Sequence, residues 1–198
     1  MQPGNMETWP SAGADPDQLR GRFIAVIGPS GVGKDSVMAG LLERHPSLVP
    51  VRRIITRPAE AGGEDHQPES AEAFRRREAQ GDFVLSWRAH KLHYGIPATV
   101  LPLLEAGQDI LGNLSRGVLG AADRVFPRLE VLSLRADPVT LAKRLAGRKR
   151  ETPAEIAERL RRAAAPLPSN LRVHEIWNDA SLADAVEAAS RVLYPPKG

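Results

Sequence analysis

The 198-residue chain contains no cysteine. That removes disulfides and thiolate metal sites and leaves nothing to argue for secretion. No apolar run approaches the roughly 18 residues of a membrane helix, and no leader pattern is visible, so a soluble, cytoplasmic protein with no membrane partner is expected. Aromatic residues are few, at three Trp, two Tyr and four Phe. With no long basic block either, platforms for stacking bases are lacking and nucleic acid is not an expected partner. Lysine is scarce too: only five of the 27 basic residues are lysine, leaving 22 arginines, and net charge is just +3. Arginine's planar fork suits bidentate phosphate contacts, although solvated helix faces also account for many of them.

What the chain does have is Gly28-Pro29-Ser30-Gly31-Val32-Gly33-Lys34-Asp35-Ser36. It follows the apolar run Phe23–Ile27 and precedes Val37, Met38, Leu41 and Leu42 at helical spacing. Strand, glycine loop and helix form the setting a phosphate-binding loop requires. The glycines let backbone N–H groups converge on an anion, and the helix start adds its free N–H groups and positive dipole end. Lys34 is placed to reach the β- and γ-phosphates of a nucleotide. The residue after this lysine is ordinarily Ser or Thr, a Mg²⁺ ligand, and here it is Asp35. Ser36 is no simple substitute, because one helical step turns a side chain by about 100°.

The rest of the chain alternates. Residues 1–20 carry no apolar period and are expected to be a disordered tail, with one domain over 21–196. Strands are expected at 21–27, 51–55, 109–113, 129–134 and 173–177, with helices between them. Such alternation predicts an α/β fold: a parallel five-stranded sheet, helices on both faces, ligands at the carboxyl ends of the strands. The stretch about 51–97 carries a helix at 70–80 and a β pair around Phe83–Trp87 and Leu92–Gly95, and reads as an insertion beside the main sheet. Residues 147–153 interrupt a helical pattern.

The ordered set of fragments resembles the guanylate kinase group of P-loop kinases: the loop, Thr56-Arg57-Pro58, Tyr94-Gly95, Gly147-Arg148, Arg159-Leu160 and Asn178-Asp179. Within it, the chain is similar to the ribose 1,5-bisphosphate phosphokinases of phosphonate catabolism. That likeness rests on Gly33-Lys34-Asp35-Ser36, Ile55-Thr56-Arg57-Pro58, Ala61-Gly62-Gly63-Glu64 with His66, Leu85-Ser86-Trp87-Arg88-Ala89, Asn113-Leu114-Ser115-Arg116 and Arg148-Lys149-Arg150-Glu151. The resemblance implies an acceptor-binding insertion and a lid at about 147–153. It also implies ATP and Mg²⁺ as cofactors, and transfer of a phosphoryl group to ribose 1,5-bisphosphate, a phosphorylated sugar. Two other classes have weaker claims. A GTPase switch lacks its Asn-Lys-x-Asp guanine reader, and inactive interaction modules typically lose the phosphate loop that this chain keeps.

By that resemblance Arg57 holds the acceptor phosphate. His66 stands where guanylate kinases place a phosphate-contacting tyrosine, or is a solvated loop histidine. Tyr94 donates to the same phosphate or packs on Trp87. Arg148 and Arg159 match lid arginines that clamp the transferring group, with Arg150 an additional candidate and Arg161 and Arg162 a solvated helix face. Asn178 and Asp179 touch the adenine, or form a turn before a helix cap. Three positions argue against GMP as acceptor. Glu60 replaces a second phosphate-binding arginine, Ser86 replaces a guanine-reading carboxylate, and Gly112–Arg116 lacks the acidic residues expected there. Asn113, Ser115 and Arg116 then fall nearer the 5-phosphate of a bisphosphorylated sugar. A divergent guanylate or other nucleoside monophosphate kinase is the alternative.

Overall fold

The computed structural model describes residues 18–58, 65–89, 91–146 and 167–196. The first 17 residues of the expected tail over 1–20, the lid, and Arg148, Arg150, Arg159, Arg161 and Arg162 lie outside the described residues, as does Glu60.

Phe23–Ile27 form β1, in which every residue is buried. A strand apolar on both faces is the signature of a parallel sheet covered on both sides. The sheet runs in the order β2 (Val49–Pro50), β7 (Ile110–Asn113), β1, β8 (Leu129–Arg135) and β9 (Arg172–Trp177), with every pairing parallel. Phe23, Ala25 and Ile27 face a core shared with α3 (Leu101–Glu105) and α4 (Leu119–Val125). Ile24 and Val26 face the opposite core, shared with α1 (Lys34–Arg44) and the C-terminal helix α6 (Leu182–Leu193). The five-stranded α/β fold is therefore as the alternation predicts. Because β1 has neighbours on both sides reached by opposite crossovers, a crevice opens at its carboxyl end, where the glycine loop begins.

The insertion builds a second sheet in the order β4 (Gln67–Pro68), β3 (Ile54–Ile55), β6 (Leu92–Pro97), β5 (Phe83–Ala89). One face packs Ile54 and Phe83 under Phe74 of α2 (Ala71–Ala79), whose start is capped by Ser70 accepting from Ala73 N. The other face presents Ile55, Trp87 and Tyr94 to the main core. This division corrects the expected strand over 51–55. Val49 and Pro50 pair with β7, and Ile54 and Ile55 pair in the other sheet. Adjacent Ile54 and Ile55 bury on opposite faces, so an unbroken apolar run conceals a change of sheet. After Pro97 the chain makes a 3₁₀ turn over Ala98–Val100 and then α3. Leu19, placed by composition in the tail, is buried in the main core. No helix among the described residues is long and apolar enough to cross a membrane.

Candidate active site

The loop between β1 and α1 is shaped by close contacts at two glycines. Gly33 has φ 91°, and a Cβ there would lie 2.6 Å from Asn178 Nδ2. At Gly28 (φ 151°) a Cβ would meet the Leu134 carbonyl at 2.7 Å. Both positions require positive φ and have no room for a side chain. Asn178, buried just after β9, donates from Nδ2 to the Val32 carbonyl at 2.8 Å and from its backbone N–H to Arg135 O at 2.8 Å. It thereby ties the loop to the ends of β8 and β9. Asp179 Oδ1 accepts from Asp137 N at 2.7 Å, while the α6 cap belongs to Ser181 and Asp184. Lys34 Nζ donates to the carbonyls of Gly28 and Pro29, at 3.0 and 3.1 Å, and so lies across the loop. The start of α1 has no side-chain cap, and Asp35 and Ser36 in its first turn are exposed. Free helix N–H groups beside a lysine and a glycine cradle suit a polyphosphate, and the exposed Asp35 carboxylate suits its divalent counter-ion.

In the insertion, β3 ends in Thr56-Arg57-Pro58. Thr56 is fastened to β6 twice: its N–H donates to His93 O at 3.0 Å, and its hydroxyl accepts from His93 N at 2.8 Å. Arg57 is therefore set on a fixed backbone. Its Nε and Nη2 are buried and have no acceptor among the described residues. They border a cavity of about 430 Å³ lined by Thr56, Arg57 and Pro58 on one side and Pro68, Glu69 and Ser70 on the other. Buried guanidinium N–H groups without acceptors are costly, and a site for an anion is the common reason to keep them. Glu69 does not face the cavity as an uncompensated charge, since Arg77 pairs with it at 3.3 Å and with Asp82 at 3.0 Å. His66 is 6 % exposed, and its Nε2 is 3.2 Å from the Arg57 carbonyl, so it is packed against the Thr56–Pro58 turn and is not a solvated loop histidine. Tyr94 stacks on Trp87 with centroids 5.3 Å apart and planes within 9°.

Known proteins resemble the chain in sequence and in fold. No protein-family model matches the chain. The chain is 48% identical over 184 residues to a ribose 1,5-bisphosphate phosphokinase of Ruegeria sp. (strain TM1040), covering 92% of this chain and 97% of that protein. It is 47% identical over 153 residues to one of Acidiphilium cryptum (strain JF-5), covering 76% and 81%. The chain belongs to the ribose 1,5-bisphosphate phosphokinase family. A guanylate kinase of Anaplasma phagocytophilum superposes with a TM-score of 0.68 at 17% identity, over 88% of this chain and 85% of that one. At that identity the likeness speaks to fold alone.

For this member of the phosphokinase family, other expected site residues are distributed unevenly. Asn113 is buried at the end of β7, and Ser115 accepts a hydrogen bond from Trp87 Nε1 at 3.2 Å, joining the insertion to the main sheet. Arg116 lies in the field of Arg135 and Glu175 at the β8–β9 edge. Burial, then Arg135, lowers its pKa from the ordinary arginine value. Ser86 is spent inside the insertion, donating to Glu78 Oε1 at 2.6 Å. The sequence reading assigned nothing to Arg53. The structure buries it to 8 % exposure, its Cζ 5.3 Å from the Tyr94 ring centre and 5.8 Å from that of Trp87. The available signal was a charge in step with Ile55, at an inward position of an apolar stretch.

Proposed function

We propose that this chain transfers the γ-phosphoryl group of ATP to the 1-phosphate of ribose 1,5-bisphosphate, giving 5-phosphoribosyl 1-diphosphate and ADP. Membership of the family supports the reaction. The structural observation that carries it is Arg57, whose buried Nε and Nη2 have no acceptor among the described residues and border a cavity formed by the insertion. An oxygen of the 1-phosphate attacks the γ-phosphorus as the bond to the β–γ bridging oxygen breaks and ADP leaves. A phosphate monoester dianion is already nucleophilic, so no general base is needed. Catalysis then rests on alignment and on neutralising charge.

Each residue has a definite task under this reading. The backbone of Gly28–Gly33 and Lys34 hold the donor phosphates, Arg57 and His66 hold the 1-phosphate, and Tyr94, Asn113, Ser115 and Arg116 border the sugar. Asn178 keeps the loop in shape beside the nucleotide. Arg148 and Arg159 are assigned to the transferring phosphoryl group. Asp35 would hold Mg²⁺, directly or through a water, and the ion would neutralise charge between donor and acceptor, while Ser36 borders the donor phosphates. Replacing Asp35 by Asn raises the Mg²⁺ concentration required for half-maximal activity; an unchanged titration removes Asp35 from the site.

The deciding experiment is an acceptor screen with ATP and Mg²⁺, following ADP release from ribose 1,5-bisphosphate, ribose 5-phosphate, GMP and AMP. Ribose 1,5-bisphosphate turns over fastest. GMP turning over faster under matched conditions replaces this reading with that of a divergent guanylate kinase.

A further inference from the structure

The cavity in the insertion holds more than the Arg57 guanidinium. β3 and β4 run parallel, with Ile55 paired to Pro68, so the residues that follow the two strands emerge at the same end. Thr56, Arg57 and Pro58 form one wall, and Glu69, Ser70 and Ala71 continue the other from Pro68. Each wall carries a hydroxyl whose oxygen already accepts from a backbone N–H. Thr56 Oγ1 accepts from His93 N at 2.8 Å, and Ser70 Oγ accepts from Ala73 N at 3.1 Å. A hydroxyl has one proton, and an oxygen engaged by a backbone donor turns that proton elsewhere. Neither proton has an acceptor among the described residues.

The two hydroxyls add to Arg57 Nε and Nη2, which are buried and likewise lack an acceptor among the described residues. Both walls therefore present protons. The carboxylate on the lining, Glu69, is paired with Arg77 at 3.3 Å, and Arg77 also pairs with Asp82 at 3.0 Å. A ligand that suits such donors accepts hydrogen bonds on every side. A phosphate monoester dianion does so through its terminal oxygens, and a charged acceptor strengthens each bond it receives. Pro58, Pro68, Ser70 and Ala71 are exposed, so the cavity is open to a ligand arriving from solvent.

We propose that Thr56 and Ser70 donate their hydroxyl protons, one from each wall, to the acceptor phosphate that Arg57 holds. The assignment rests on the acceptor reading above, and the experiment separates the two. Ser70→Asp keeps the helix cap, since Asp caps as well as Ser, but exchanges the donor for a carboxylate. Ser70→Asn keeps the cap and restores a donor. KM for ribose 1,5-bisphosphate rises about tenfold to a hundredfold in Ser70→Asp and by much less in Ser70→Asn, while KM for ATP and the melting temperature hold. Thr56→Val raises the same KM about tenfold, and Thr56→Ser recovers most of that loss. Equal KM values for the sugar in Ser70→Asp and Ser70→Asn overturn the assignment, as does a wild-type KM in Thr56→Val. Should Thr56→Val not fold, the two Ser70 variants decide. A wild type that does not turn over ribose 1,5-bisphosphate refutes the acceptor reading, and calorimetric titration of the ADP-saturated protein with inorganic phosphate still tests the cavity. Phosphate affinity then falls in Arg57→Gln and Ser70→Asp and much less in Ser70→Asn. A wild type that takes up no phosphate, or equal affinities across these variants, overturns the assignment.

Discussion

Two arginines stand near opposite ends of the structure's polar machinery, and their surroundings differ in kind. Arg22 opens β1 at the amino end of the sheet. Its Nε and Nη2 donate to Asp109 Oδ2 at 3.1 and 2.5 Å, and its Nη1 donates to Glu130 Oε1 at 3.2 Å and Leu193 O at 2.9 Å. Tyr194 completes the group, donating to Asp109 at 2.9 Å and lying under the guanidinium at 4.9 Å. Arg57, in the turn after β3, has two buried N–H-bearing nitrogens with no acceptor among the described residues. A saturated arginine joins β1, β7, β8 and the end of α6, whereas two nitrogens of the other are left, under the proposed function, for an anion that arrives from outside. Under the proposed function the same residue type serves stability at one place and recognition at the other. Mutations should separate the two roles.

The largest effect is expected at the carboxyl end. Lys34→Ala lowers turnover by at least a hundredfold, because the cation at the bridge between β- and γ-phosphates is lost. Arg57→Met does the same for the acceptor, by about a hundredfold in kcat/KM. Its melting temperature holds or rises, since two buried nitrogens with no acceptor among the described residues are replaced by an apolar side chain of similar length. Steady-state kinetics and thermal melts measured on the same preparations check both. A strongly destabilised Arg57→Met would show that the guanidinium is a structural group after all.

Arg22→Met is expected to show the opposite pattern. It leaves Asp109 and Glu130 partly buried without their shared cation, a loss of about 3 kcal/mol, toward the low end because the cluster's rim is part solvated. For a chain of this length that corresponds to about 6–12 °C in Tm. Under conditions where the protein is folded, kcat/KM for the acceptor remains that of wild type. Comparable losses in activity and stability would mean that the two ends are coupled through β1.

The difference between these regions also explains what could be read from the sequence. The phosphate loop was legible because its demands are local: glycines at positive φ, a lysine at the helix start, an apolar strand before it. The alternation of strands and helices was legible for the same reason. Residues 51–55 were misread because Ile54 and Ile55 bury on opposite faces of a second sheet, which hydrophobic periodicity reports only as an apolar run. The contact of Asn178 with Val32 spans 146 residues and the Arg22–Asp109 pair spans 87, so no local pattern announces either. Arg53 looked like one more basic residue among 27. Only the pairing of β3 with β6 shows it lying against Tyr94 and Trp87.

The smallest expected effect is a dependence of stability on pH, set by the Arg22 cluster. Burial alone would raise the pKa of Asp109, but the Arg22 side-chain and backbone hydrogen bonds, with that of Tyr194, hold it below the usual carboxylate range. A carboxylate depressed in the folded state stabilises above its unfolded pKa, about 3.9, and that contribution is lost as pH falls through the folded value. Tyr194 is pushed up to about 12, first by burial and then by the Asp109 charge. A raised phenol stabilises fully below its unfolded pKa, about 10, and the contribution is lost as pH rises toward the folded value. The cluster therefore contributes fully between about pH 4 and pH 10 and weakens on either side. His45, which packs on Tyr194 at 4.3 Å, has its pKa lowered by burial and by Arg44. Its protonation adds a shallow loss of stability that begins as pH falls below about 6.5. Denaturant titrations from pH 3 to pH 11 should show this profile in wild type. In Asp109→Asn the carboxylate is gone, so the limb below pH 4 flattens while the shallow slope beginning near pH 6.5 persists. An acid limb equally steep in Asp109→Asn would assign the loss to other carboxylates and leave the Arg22 cluster without a role in it.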